Sequence, residues 1–227
     1  MASRSSTSRS STSRGTPSSW PGAQAWVPPG TDLDDLASAA HECRGCDLWE
    51  HATQVVMGSG PPQARIMLVG EQPGDHEDRT GEPFVGPAGR LLDDALEAAG
   101  IEPASVYRTN AVKHFRFVDR GHKRVHKSPA RWQVAKCQPW LLAELEALRP
   151  STVVLLGATA GQAVFGSKFR VGTSRGTPLD WPTTMGGPTP HLVLATAHPS
   201  AVLRSRQRDE DFAALVADLR LAAGHPR

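Results

Sequence analysis

Arg65-Ile66-Met67-Leu68-Val69-Gly70-Glu71-Gln72-Pro73-Gly74-Asp75 passes from an unbroken aliphatic run straight into a Gly/Pro turn. An apolar run this short, with no polar alternation, is the pattern of a strand buried on both faces. Two glycines and a proline then force a tight turn, which sets backbone amides and the Glu71 and Asp75 carboxylates at the strand's carboxyl end. Working outward, residues 106–112, 152–157 and 191–197 form three more apolar runs, the last two nearly continuous aliphatics. Helical patterns occupy 87–99, 130–148, 158–165 and 209–223, and Thr31 is expected to cap a short helix ending near Ala40. Strand alternating with helix predicts an α/β fold, a three-layer α/β/α sandwich on a central four-stranded parallel sheet. Sites in such sheets gather at the carboxyl ends of the strands.

Composition bounds the function classes. The 227 residues suit one domain over 31–227 behind a Ser/Thr/Arg/Pro-rich tail over 1–30. That tail has too little apolar surface to offset its ordering entropy and is expected to be disordered. The net charge of +2 is near neutral, so affinity for nucleic acid has to come from local clustering. Three cysteines cannot close a disulfide framework, which points to a reducing compartment. No run approaches the length of a membrane span and no signal segment opens the chain, so a soluble, intracellular protein with no membrane partner is expected.

Chemistry-bearing residues fall at the predicted strand ends. Gly81-Glu82-Pro83-Phe84-Val85-Gly86-Pro87-Ala88-Gly89-Arg90 leads into a helix with one large aromatic, Phe84, suited either to a buried staple or to stacking on a flat ring. The second strand ends in Thr109-Asn110. An asparagine there can accept from an N–H and donate to a carbonyl, the pattern of a uracil edge and the reverse of cytosine's. The fourth strand ends in Ala197-His198-Pro199-Ser200. Its imidazole is held by the following proline, either to cap the next helix or to donate to an anion. Cys43-Arg44-Gly45-Cys46 precedes the first strand, which disfavours a thioredoxin-type motif and favours metal binding. Cys137 is the only other cysteine, and a histidine would complete four ligands. Between Lys113 and Lys136, a run rich in Lys, Arg and His surrounds Gly121 and reads as a basic loop, either a phosphate clamp or a solvated surface.

Gly70-Glu71-Gln72-Pro73-Gly74, Pro83-Phe84-Val85-Gly86-Pro87-Ala88-Gly89, Thr109-Asn110-Ala111-Val112-Lys113 and His198-Pro199-Ser200, in this order, resemble the uracil-DNA glycosylase superfamily and its iron–sulfur branch, family 4. The likeness covers roughly 33–220. Two departures, His114 where family 4 has a cysteine and the insert Lys123-Arg124-Val125-His126-Lys127, resemble the UdgX subgroup, although the basic run is interrupted at Val125. The resemblance implies a uracil-DNA glycosylase that flips uracil onto Phe84 and reads it with Asn110, Gln72 and His198. It implies that His126 attacks C1′ and stays covalently bound, with Glu71 taking its proton and Asp75 in support. The subgroup's relatives in family 4 instead release an abasic site and turn over. Lys113, Arg124, Lys127 and Arg204 would contact phosphates. Cys43, Cys46, His114 and Cys137 would hold a 4Fe-4S cluster. The partners implied are uracil-containing DNA, single-stranded with double-stranded left open, and free uracil. The protein would be a monomer of the bacterial cytoplasm, at the nucleoid when acting.

Overall fold

The computed structural model describes residues 17–30 and 32–224. In chain order the elements are α1 (Leu33–Ala40), β1 (Ile66–Gly70), α2 (Asp75–Thr80), α3 (Pro87–Ala98), β2 (Tyr107–Asn110), β3 (Phe117–Arg120) and β4 (Lys123–His126). They continue with α4 (Arg131–Leu148), β5 (Thr152–Leu156), α5 (Gly157–Phe165), α6 (Val171–Ser174), β6 (Leu192–Thr196), α7 (Pro199–Arg204) and α8 (Arg208–Ala223). The main sheet has the order β2-β1-β5-β6, and all its pairings are parallel. Period-two geometry divides the aliphatic runs between two cores. Leu68, Val154, Leu156 and Leu194 face α3 and α8 on one side. Met67, Val69, Val153, Leu155 and Val193 face α4 and α5 on the other. The chain is therefore an α/β/α sandwich with a four-stranded parallel sheet, as the aliphatic runs predict.

Three local expectations differ. The helix cap falls on Asp32, whose Oδ1 accepts from the amides of Asp34 at 2.8 Å and Asp35 at 3.0 Å, while Thr31 lies outside the described residues. The end of the segment read as a disordered tail is packed. Residues 17–19 and 23–25 form 3-10 turns, Ala23 is buried, and the Gly22 amide donates to the Gly45 carbonyl at 2.9 Å. The rest of that expectation, over 1–16, lies outside the described residues. The basic loop is a two-stranded antiparallel hairpin, with Phe117 paired to His126 and Arg120 to Lys123. Gly121, at φ 65°, sits in the two-residue turn, where positive φ matches the twist of the strands. Among the described residues, no helix is long and apolar enough to cross a membrane.

The strand order reverses between β1 and β5. β1 is followed in sequence by its neighbour β2 on one side, while β5 lies on its other side. A crevice opens at such a reversal, at the carboxyl ends of the two strands.

Candidate active site

A cleft of about 550 Å³ occupies that crevice and is lined by Glu71, Asp75, Phe84, Asn110, His126, Thr159, His198 and Arg204, among others. Glu71, Asn110, Thr159 and His198, far apart in sequence, meet here because each ends or closely follows a strand of the main sheet, and His126 joins them from the end of the β3–β4 hairpin.

The floor is aromatic. Phe84 and His198 lie stacked, ring centroids 6.3 Å apart at 25°. Phe84 holds a left-handed backbone at φ 61°, a conformation costly for a bulky side chain and found where the surroundings impose it. Gly70 is what lets the ring close over the strand. A Cβ there would come within 2.4 Å of Asn110 Oδ1 and 2.7 Å of Phe84 Cζ. Glu77, a residue the sequence reading missed, ties the two loops together. Its buried carboxylate accepts from the Gly74 amide at 3.0 Å and the Gly86 amide at 2.9 Å. The Gly74-x-x-Glu77 spacing at the start of α2 was the available signal.

Asn110 is 3% exposed. Its carbonyl accepts from Lys113 Nζ at 2.8 Å, whereas its side-chain amide has no partner among the described residues. The His198 imidazole both caps α7 and faces the cleft. Its Nδ1 accepts the Ser200 amide at 3.1 Å, which leaves the proton on Nε2 when the ring is neutral. Burial pushes this imidazole down to about 4, so it is neutral at pH 7 and donates through Nε2.

Glu71 and His126 form the reactive-looking pair. His126 Nε2 lies 3.3 Å from Glu71 Oε1, and Thr159 Oγ donates to the other carboxylate oxygen, Oε2. Oε1 has no aligned hydrogen bond among the described residues, so the contact with His126 is one of proximity. Burial alone would raise the Glu71 carboxyl. The close approach of His126 and the hydroxyl of Thr159 outweigh it, so the carboxyl falls below its usual range. The His126 ring is half exposed and leans on Phe115 at 6.1 Å.

Four of the expected site residues, Lys113, Arg124, Asp75 and Gln72, spend their polar groups on contacts within the protein. Lys113 is fully buried, with Nζ 2.6 Å from Glu144 Oε2 and 2.6 Å from Thr109 Oγ, and cannot reach a phosphate. Arg124 is committed to carboxylates: its Nε is 2.5 Å from Asp75 Oδ1 and its Nη1 is 2.6 Å from Asp78 Oδ2. Its guanidinium also lies 4.9 Å over the Phe117 ring, so it latches the hairpin onto α2 rather than facing DNA. Asp75 is held in the same latch, its other oxygen 3.1 Å from Arg79 Nε. The Gln72 side chain grips the feet of the hairpin. It donates to the carbonyls of Arg116 at 3.0 Å and Lys127 at 3.3 Å and accepts from the Arg116 amide at 3.1 Å. Lys127 and Arg204 are exposed beside the cleft.

Cys43, Cys46, His114 and Cys137 line one small cavity behind β2, with no disulfide among the cysteines. The Lys113 amide lies 3.3 Å from Cys137 Sγ and Trp140 Nε1 lies 3.3 Å from Cys43 Sγ, donors that favour thiolate sulfur. Burial pushes the Cys46 thiol up to about 12 and the His114 imidazole down to about 4. Among the described residues, no three such side chains sit close enough to hold a single metal ion. A cluster, in which each ligand binds a different iron, spreads its ligands wider, and four buried S and N donors around one cavity fit that group.

The sequence model of the Uracil DNA glycosylase superfamily matches residues 57–220. A Type-4 uracil-DNA glycosylase from Thermotoga maritima is 38% identical over 178 residues, covering 78% of this chain and 86% of that protein. One from Archaeoglobus fulgidus is 37% identical over 187 residues, covering 79% and 87%. A Type-5 uracil-DNA glycosylase from Pyrobaculum aerophilum is 34% identical over 147 residues, covering 58% and 62%. With this match spanning the whole sheet and the cleft at its carboxyl edge, the chain belongs to the uracil-DNA glycosylase superfamily.

Proposed function

We propose that this protein excises uracil from DNA, and that the cleft at the β1/β5 reversal is where it does so. The observation that carries the reading is the unpartnered amide of Asn110 beside the Phe84–His198 stack in one cleft. A base inside a duplex cannot enter such a cleft, so the nucleotide has to be turned out of the stack. Its ring then lies on Phe84. Asn110 accepts from uracil N3–H and donates to O4, and His198 Nε2–H donates to O2. Cytosine reverses both groups facing Asn110 and leaves them unpaired.

The C1′–N1 bond breaks with its electron pair leaving on uracil, whose negative charge His198 and the turn amides stabilise. The sugar is left with oxocarbenium character, stabilised by the nearby Glu71 carboxylate. Two fates follow. In the first, water adds to C1′ and gives its proton to Glu71, releasing an abasic site. The Type-4 names of the relatives support this turnover reading. The second is favoured by one observation, the His126 ring 3.3 Å from Glu71 in the same cleft. Here a ring nitrogen of His126 bonds C1′ and the imidazolium so formed passes its proton to Glu71. The DNA then stays attached, as in the UdgX subgroup. Lys127 and Arg204 contact phosphates beside the cleft.

Cys43, Cys46, His114 and Cys137 would hold a 4Fe-4S cluster, which when bound would pin the loop after α1 and the first half of α4 to the loop after β2.

Excision is tested by measuring free base from oligonucleotides containing uracil, cytosine or thymine. The uracil strand alone should release its base. Asn110→Ala should slow that release about a hundredfold, the worth of roughly two buried hydrogen bonds. Equal release from cytosine, or an unaffected variant, would contradict base reading by Asn110.

A further inference from the structure

The reversal of strand order brings together two residues 88 positions apart. Glu71 directly follows β1, and Thr159 is the third residue of α5, which follows β5 without a loop. The Thr159 hydroxyl donates to Glu71 Oε2, while Oε1 is the oxygen turned toward His126. A carboxylate held by one oxygen has lost its freedom to rotate, so the other oxygen keeps a fixed direction. That direction matters, because a proton acceptor works only within hydrogen-bond reach of the group it deprotonates.

We infer that Thr159 is a positioning residue of the excision reaction, its hydroxyl fixing the rotation of the Glu71 carboxylate and favouring its ionised form. The inference rests on the proton-accepting role proposed for Glu71 above. The charged and titratable groups around that carboxylate are known. His126 comes from β4, His198 and Arg204 from the start and end of α7, and Asp75 and His76 from α2. His198 is neutral at pH 7, and Asp75 is held by Arg79 and Arg124. Burial disfavours the charged carboxylate, and the Thr159 hydroxyl is one of the few donors that offset it. Thr159 is also the one residue common to this cleft and to the groove between α4 and α5, so its hydroxyl can be removed without disturbing buried core.

The sign follows directly. Glu71 acts when ionised, and its carboxyl is held low in the folded protein. Removing a donor to the ionised form raises it, so activity is lost at higher pH on the acid side. Thr159→Val keeps the shape and deletes the hydroxyl, whereas Thr159→Ser keeps the hydroxyl.

Single-turnover uracil release should be measured against pH for the parent and both variants. The valine variant should be slowed roughly tenfold at neutral pH, the loss of one hydrogen bond to a charged group. Its acid limb should move to higher pH, and the serine variant should restore both. A valine variant with the parent's rate and acid limb overturns the inference. So do valine and serine variants slowed equally with unchanged pH profiles, which would indicate packing alone. Titration of the Glu71 carboxyl carbon by NMR makes the same comparison without reference to activity. A parent that released no uracil would refute the proposed function, while an equal Glu71 titration in parent and valine variant would refute the role of Thr159.

Discussion

Glu71→Gln slows uracil release by roughly 10²–10⁴-fold, the usual contribution of a positioned acid or base. The substitution keeps the side chain's size and its acceptor for the Thr159 hydroxyl, so the loss is of charge and basicity rather than of packing. Both are used in the proposed reaction. The negative charge faces the developing oxocarbenium, and the basic oxygen receives the proton, whether from water or from His126. The thermal midpoint should stay close to the parent's, because a glutamine at this position no longer needs an ionised partner. Single-turnover rates beside a melting curve check both halves. A rate within threefold of the parent's would mean that the reactive proton goes elsewhere, Asp75 being another carboxylate of the cleft.

Lys113→Ala costs about 3–5 kcal/mol of stability, the penalty for leaving one partner of a buried ion pair alone. Lys113 and Glu144 are both 0% exposed, with Nζ and Oε2 2.6 Å apart. Glu144 also collects the Gly58 amide at 2.9 Å, the Tyr107 hydroxyl at 3.2 Å and the Thr109 hydroxyl at 3.0 Å. Without the ammonium, that carboxylate is either a buried charge or takes up a proton. For a domain of this size each kcal/mol is worth about 2–4 °C in Tm. Replacing both residues together, Lys113→Met with Glu144→Leu, should recover part of the loss. A single variant that melts with the parent, or a double variant no better than the single, would show that the pair contributes as little as an exposed one. The pair also reaches the site, since Lys113 Nζ holds the Asn110 carbonyl at 2.8 Å. Lys113 therefore anchors, from inside the fold, the strand end that carries Asn110.

The contrast between Lys113 and the strands explains how much was legible from sequence. The four strands announce themselves because a strand buried on both faces can only be aliphatic, and their order is limited by right-handed crossovers. The residues at their ends, Glu71, Asn110 and His198, were legible for the same reason. A polar residue at the end of such a run faces the crevice by default. Lys113 has no such context. Its partner is 31 residues away on α4, where a glutamate reads as a solvated face, so a lysine in a basic stretch reads as a phosphate contact. Arg124 fails the same way, because Asp75 and Asp78 are 49 and 46 positions off. The hairpin β3–β4 was missed because the alternation of Lys123, Arg124, Val125 and His126 carries almost no apolar signal. Thr159 sits in an Ala/Gly-rich helix start with nothing to distinguish it. Only the meeting of β1 and β5 gives it a partner.

The measurement that separates the two fates of the sugar is a denaturing gel. The protein and its His126→Ser variant are each mixed with a labelled uracil-containing oligonucleotide, boiled in SDS and run with and without alkali. Capture by His126 predicts a slow, protein-sized band that requires both uracil and His126, with the variant giving free oligonucleotide that breaks on alkali, whereas turnover predicts that free oligonucleotide from the parent as well. Alkali-labile free oligonucleotide from the parent protein would contradict capture by His126 and leave hydrolysis with turnover. Oligonucleotide intact after alkali would contradict excision itself.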